Sequence, residues 1–295
     1  MVAVPFAYRR AESFEEAVSL LAEHGEDAKL LAGGQSLVAM MNLRLARPTL
    51  LVDLNPIGSP PPSVVGGQVR IPALTRHKTL ADPRASFGAP LLSVAARHVG
   101  NVRVRARGTI GGSLAHADPT AELAAACLAL GGTVSVLGPG GTRELLVDEL
   151  LVSYFTTALE PDEVITGVTV PVHVAGRTGF GFHEMVRRSS DLAIVAVAAH
   201  VELAEAGGTI ATARVAVAGV GERVVLAPAE LTEGLRGMPA GEADAEGLGR
   251  ALAAGLRPSG DVHASGEYRR RLVSVLTRRA LGDALGRTPT REVAA

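Results

Sequence analysis

A single cysteine, Cys127, stands among 295 residues, and tryptophan is missing altogether. One thiol can neither close an internal disulfide nor hold a zinc or iron–sulfur site by itself, so any such cluster must sit on another chain. Aromatic residues make up 3% of the chain, too few to build a stacking platform for single-stranded nucleic acid. Neither sign of charge dominates: 29 Lys+Arg face 30 Asp+Glu. That balance speaks against a dedicated nucleic-acid binder, which carries a basic excess. Long apolar runs are also missing. The most apolar stretch, "LAIVAVAAHVELA" (192–204), is broken by His200 and Glu202 and falls short of a membrane span. The opening "MVAVPFAYRRAES" has no apolar core behind its charges and does not read as a signal peptide. The expectation is a cytoplasmic chain with no transmembrane segment and no nucleic-acid partner.

What is present is enough apolar material, 47% of the chain, to fill the cores of two domains. "SFEEAVSLLAEHG" (13–25) opens with an N-cap serine and a glutamate three residues on, a capping box, and closes on glycine. "AKLLAGG" reads as a short strand, "SLVAMMNLRLARP" as a helix stopping before Pro48, and "TLLVDLN" as a second strand. A hairpin is predicted over 64–72, a helix over 90–100, and an alanine-rich helix from Pro119 to the glycine pair at 131–132. "TVSVLGPGGTREL" and "DEVITGVTVPV" are strand-like, and a first domain closes near Val174. Beyond it "AIVAVAAHVEL" and "GTIATARVAVAGV" read as strands joined by an "EAGG" turn. Helices follow over about 243–256 and in "GEYRRRLVSVLTRRALGDAL", and the tail "RTPTREVAA" reads as frayed.

Six glycine pairs punctuate the chain. Those at 66–67, 140–141 and 207–208 lie between strand-like arms and read as hairpin turns; the one at 131–132 ends a helix. Gly33-Gly34 and Gly111-Gly112 differ. Each follows an apolar or β-rich run and leads into hydroxyl or amide side chains, Gln35-Ser36 in one and Ser113 in the other. Glycines let successive backbone N–H groups face one concavity and let the chain approach a diphosphate closely. Neither segment matches the G-x-G-x-x-G fingerprint or the P-loop. From these residues alone, two turns and two halves of one phosphate cradle both stay open.

The segments "LLAGGQSLVAMMNLRLARPTLLVDLN" and "RGTIGGSLAHADPTAELAAACLALGG" resemble the two FAD-binding loops of the flavoprotein subunit of molybdenum hydroxylases. "FHEMVRRSSDLAIVAVAA" and "GEYRRRLVSVLTRRAL" resemble that family's C-terminal domain, so the resemblance spans essentially the whole chain. It implies an α+β fold: a two-part FAD-binding domain of the vanillyl-alcohol oxidase (PCMH) type at 1–175, with subdomains of about 1–56 and 57–175. A smaller α+β domain of the CO dehydrogenase flavoprotein type follows at 178–288. It further implies FAD as cofactor, and as partners a large molybdenum-cofactor subunit and a small [2Fe–2S] subunit in a dimer of heterotrimers. Electrons would pass from those clusters through the FAD to an external acceptor.

Carried over residue by residue, the resemblance assigns Leu31, Ala32, Gly33, Gly34, Gln35, Ser36 and Leu37 to the first loop. Thr109, Ile110, Gly111, Gly112 and Ser113 form the second, with backbone N–H groups of both binding the diphosphate. Glu122, and less distinctly Asp118, would accept hydrogen bonds from ribityl or ribose hydroxyls; Asp118 reads equally as favourable charge near a helix start. Leu192 would lie over the isoalloxazine, where several relatives have an aromatic residue, and Ile165 and His183 align near the flavin. No catalytic acid or base and no metal ligand is implied. Arg103, Arg105 and Arg107 alternate with apolar residues, which on a strand would give a solvated edge, a subunit contact or a surface for an anionic cofactor. "YRRRL" (268–272) reads as a helix surface. The competing readings are a self-contained flavoenzyme resembling UDP-N-acetylenolpyruvoylglucosamine reductase, and a scaffold module without flavin.

Overall fold

The computed structural model describes residues 3–84, 87–204 and 208–286. The chain begins with a small α/β unit: β1 (Ala7–Arg10), α1 (Phe14–His24), β2 (Ala28–Leu31), α2 (Leu37–Asn42) and β3 (Leu50–Asp53). The sheet is parallel in the order β1-β3-β2, so β3 is central and buried along its whole length. Ser13 caps α1 by accepting from Glu16 N, and Glu16 Oε2 accepts from the Glu12 amide, 2.7 Å away. Helix α2 ends at Asn42 rather than near Pro48: Arg44 adopts a positive φ of 60°, and the chain leaves the helical path there.

The next unit runs through β4 (Ser63–Val65), β5 (Gln68–Pro72), α3 (His77–Ala81), α4 (Pro90–His98), α5 (Val102–Arg107), α6 (Ile110–His116) and α7 (Glu122–Ala129). It continues with β6 (Thr133–Gly138), β7 (Gly141–Leu146), α8 (Val147–Leu150), β8 (Leu151–Ser153), β9 (Thr156–Thr157) and β10 (Val164–Pro171). A five-stranded antiparallel sheet forms in the order β4-β5-β10-β6-β7. The hairpins about Gly66-Gly67 and Gly140-Gly141 are where the sequence places them.

Two readings are corrected here. Residues 102–107 are a helix, not a strand, because the Asn101 side chain accepts from the amides of Arg103 and Val104 and starts a helical turn. The three arginines therefore do not share one strand face. The alanine-rich helix starts at Glu122 rather than Pro119, since the Asp118 carboxylate accepts from Thr120 N at 2.8 Å and folds 118–120 into a turn.

The last unit is a four-stranded antiparallel sheet, β11 (Thr178–Val186), β12 (Ala193–Leu203), β13 (Ile210–Ala218) and β14 (Val225–Leu226), followed by α9 (Ala229–Glu233), α10 (Ala245–Gly255) and α11 (Gly266–Ala284). Alternation along β12 divides its faces. Val195, Val197 and Val201 pack with α10 and α11, whereas Ala196 and Ala198 pack on the core of the preceding unit beside α7. Gly181 is glycine because a Cβ there would run into the Ala280 carbonyl of α11. Arg269 is not a helix-surface residue: it is buried, and its guanidinium donates to the carbonyls of Ile194 and Gly219 and to Asp261. The "EAGG" turn lies largely outside the described residues, and the tail at 287–295 wholly so. Among the described residues no helix is long and apolar enough to cross a membrane.

Candidate functional site

A cleft of about 770 Å³ opens where the three units meet. Residues 32–37 line one side, Thr109 and 111–113 the other, with Asp118, Glu122 and Ile165 deeper in and Leu192 at the rim. Both glycine pairs therefore face one space.

They contribute differently. Backbone N–H groups 33–37, five in succession, have no acceptor among the described residues. Gly34 turns the run with φ 70°, which concentrates unpaired amides in one concavity, the arrangement that binds anions. Gln35 folds back, its Nε2 donating to Gly33 O at 3.1 Å. The second segment is the first turn of α6, not a free loop, and its amides are already used. Ile110 N donates to Thr75 O, Gly111 N to Ala73 O, Ser113 N to Thr109 O and Gly112 N to the capping Thr109 Oγ1. The sequence expectation of two amide cradles is thus corrected. The first loop offers N–H groups; the second offers hydroxyls and a bare glycine surface.

Steric demands sort the glycines further. A Cβ on Gly33 would lie 2.7 Å from Gly108 Cα and collide with the Arg107 carbonyl, so this glycine lets the two segments touch. A Cβ on Gly111 would lie 2.6 Å from that of Ala73 and near its backbone. Gly112 has the most room of the three, its imagined Cβ meeting only Thr109 Oγ1 at 2.8 Å and Ala32 Cβ at 3.7 Å.

Behind the cleft a polar network joins the two segments. Tyr8 Oη donates to Asp53, which accepts also from the backbone and side-chain amides of Asn55. Asn55 Nδ2 donates to Ala32 O at 3.0 Å, while Arg76 donates to both Asn55 Oδ1 and the Arg107 carbonyl. Burial opposes ionisation of Asp53, but the hydrogen bonds from Tyr8 and Asn55 hold its carboxyl below the usual range. The network thus fixes Ala32 and Arg107, one residue from each side of the cleft. Next to it, His77 is buried against Gly108. Burial, countered by the Thr109 carbonyl, lowers its pKa to about 4 and keeps it neutral.

Glu122 is buried at the head of α7. Burial, with Glu184 and Asp118 nearby, pushes its pKa up to about 8, so at neutral pH it is chiefly a protonated donor rather than the acceptor the sequence suggests. Asp118 is occupied with Thr120. Leu192 is 69% exposed, behind Ser190 at φ 74°. Leu31, Ile110 and His183 do not line the cleft: Ile110 is core, and His183 Nε2 lies 2.8 Å from Asp283 Oδ2 of α11. Asn55, Arg76, His77 and His116 are site residues that sequence reasoning missed. The short spacing of Asp53-x-Asn55 at a strand exit was the only signal.

The comparisons agree with this geometry. Residues 4–173 match the FAD binding domain in molybdopterin dehydrogenase, and 180–284 the CO dehydrogenase flavoprotein C-terminal domain. The chain belongs to the FAD-binding medium-subunit family of molybdenum hydroxylase-type dehydrogenases, and is an oxidoreductase subunit with FAD as its cofactor. It is 40% identical over 290 residues to the 6-hydroxypseudooxynicotine dehydrogenase complex subunit alpha of Paenarthrobacter nicotinovorans, covering 97% of each chain. It is 33% identical to the carbon monoxide dehydrogenase medium chain of Hydrogenophaga pseudoflava, covering 97% of this chain and 99% of that one. Among solved structures, quinoline 2-oxidoreductase from Pseudomonas putida 86 superposes with a TM-score of 0.88 at 32% identity, over 97% of this chain and 99% of that one.

The residues fit FAD. The open amide run suits its diphosphate, the cleft volume suits a large cofactor, and Ile165 and Leu192 supply apolar surface for its ring.

Proposed function

We propose that this chain is the electron-transfer subunit of a heteromeric molybdenum hydroxylase. A large molybdenum-cofactor subunit would oxidise the substrate, and a small [2Fe–2S] subunit would deliver electrons to this chain for release to an external acceptor, in a dimer of heterotrimers. The domains carrying this role are 1–175 and 178–288. The observation that carries the reading is the run of five unpaired amides, 33–37, facing Thr109 and Ser113 across one cleft. FAD, when bound, supplies a carrier that accepts electrons singly and releases them singly or in pairs.

This chain's residues position and shield. Residues 33–37 would hold the diphosphate, Ser36, Thr109 and Ser113 would add hydroxyls, and neutral Glu122 would offer a donor to the cofactor's hydroxyl-bearing chain. Ile165 and Leu192 would supply apolar surface for the ring, Leu192 without hydrogen bonding. No side chain here needs to act as an acid or base. The only cysteine, Cys127, is buried with its thiol pushed up to about 12, so it is no cluster ligand.

Affinity purification of the tagged chain from its native host tests this. A molybdenum-containing large subunit and a cysteine-rich small subunit should accompany it, and the isolated chain should bind FAD yet lack substrate turnover. Recovery of the chain alone, turning over an enolpyruvyl substrate with NADPH, would establish the self-contained reductase instead.

A further inference from the structure

A second cavity, of about 630 Å³, lies between the second unit and the C-terminal sheet, away from the FAD cleft. Its floor is the face of β12 and β13 that carries His200 and Arg214, cross-strand neighbours in register. Leu130 and Val172 come from the preceding unit, and α9 closes another side. Most of the wall is apolar; the chemistry concentrates on one guanidinium.

Arg214 has no hydrogen-bond acceptor or ion-pair partner among the described residues, and its Nε is sealed from solvent. The guanidinium lies over Gly131, where a Cβ would stand 3.4 Å from Arg214 Cζ. The other charges of the cavity do not neutralise it. Glu202 pairs with Arg177 at 3.6 Å, Glu233 is exposed on α9, and Arg236 adds a further positive charge. His200 is 8% exposed and has no hydrogen-bond partner among the described residues. Burial, with His173 and Arg214 close by, lowers its pKa to about 4 and keeps it neutral. Arg214 as a whole is half-buried, and a guanidinium drawn partly out of water without a counter-charge loses hydration that nothing nearby replaces. It is therefore a place where an anion is missing from its surroundings, and its planar fork suits a carboxylate held by two parallel hydrogen bonds.

We infer that this cavity is a second ligand site, taking a small organic carboxylate with an apolar body, anchored by Arg214 and flanked by His200. The carboxylate meets the guanidinium, and the body lies against Leu130, Val172 and Leu226. One helix spans from this site to the flavin cleft. Helix α7 begins at Glu122, which lines the flavin cleft, and runs out at Leu130 and Gly131 beside Arg214.

Benzoate and inorganic phosphate, titrated separately into the FAD-loaded full-length chain, test the inference. The readouts are calorimetry and the NMR signal of the His200 ring. Saturable benzoate binding is expected, with the His200 pKa rising once an anion lies beside it. Arg214→Gln should weaken benzoate at least about tenfold, and Arg214→Lys, which keeps the charge but loses the fork, by a smaller factor. Thermal melting of both variants separates lost binding from lost folding. Phosphate binding with benzoate excluded would overturn the ligand class. Benzoate binding undiminished by either folded variant, or no saturation by either anion at about 50 mM, would overturn the site. Flavin occupancy is read independently by absorbance, so failure here is distinguishable from failure of the FAD reading.

Discussion

The two glycine segments look alike on paper and differ in the molecule. Residues 33–37 expose five amides with no acceptor among the described residues; the amides of 110–113 are spent on Thr75, Ala73 and Thr109. The amides of one segment stay open, and those of the other are paired within the protein. The lesson is that a shared G-G motif can serve different ends, open amides in one place and close packing in the other, and that hydrogen-bond accounting separates them.

The sharpest break of that contrast is Gly33→Val. Its side chain must displace the backbone of residues 107–108, so FAD affinity should fall at least about a hundredfold, with overpacking lowering stability by roughly 1–3 kcal/mol. Flavin absorbance and a melting curve read both. Gly112→Val separates the functions: it enters the cleft and disturbs only the Thr109 cap, a loss of ~1 kcal/mol. Flavin should be lost while the melting temperature falls by no more than a few degrees. Normal flavin occupancy in that variant would remove the second segment from the site.

Asn55→Ala probes what joins the two sides. Releasing Ala32 and stranding Arg76 should weaken FAD about tenfold, seen chiefly as a faster off-rate, with Asn55→Asp failing to rescue because it cannot donate to the Ala32 carbonyl. The smallest effect is pH-dependent and concerns Glu122. Its folded pKa of about 8 stands above the 4.5 of an ordinary glutamate, so between those values the unfolded chain sheds a proton that the folded chain keeps. Stability of the flavin-stripped chain should therefore fall as pH rises through that window and level off above it. Glu122→Gln should flatten the profile; an unchanged slope would place the titration elsewhere.

Much of this fold is written in local signals. Ser13 and Glu16 cap a helix in the sequence and do so in the structure, and the hairpin glycines turn where they stand. Residues 102–107 show the limit. Val-Arg alternation over six residues fits a strand, but the Asn101 cap and the Arg105 guanidinium reaching back to the carbonyls of Val99 and Gly100 favour a helix. Arg269 shows another. Nothing in "YRRRL" announces that one arginine turns inward, because its acceptors, the carbonyls of Ile194 and Gly219, lie 75 and 50 residues away. The cleft residues on the two loops were legible as a motif. The network of Tyr8, Asp53, Asn55 and Arg76 was not, since its members meet only when β1, β3 and the start of α3 are assembled.

All eight residues of α7, Glu122 to Ala129, are buried. A helix with no wet face exchanges its amide protons with solvent only when the surrounding molecule opens, so its amides should be among the slowest to take up deuterium. It also has no side on which to vary freely. An enlarged side chain anywhere along it must press on one of the units packed around it, which makes α7 the segment where sequence drift is most tightly restrained.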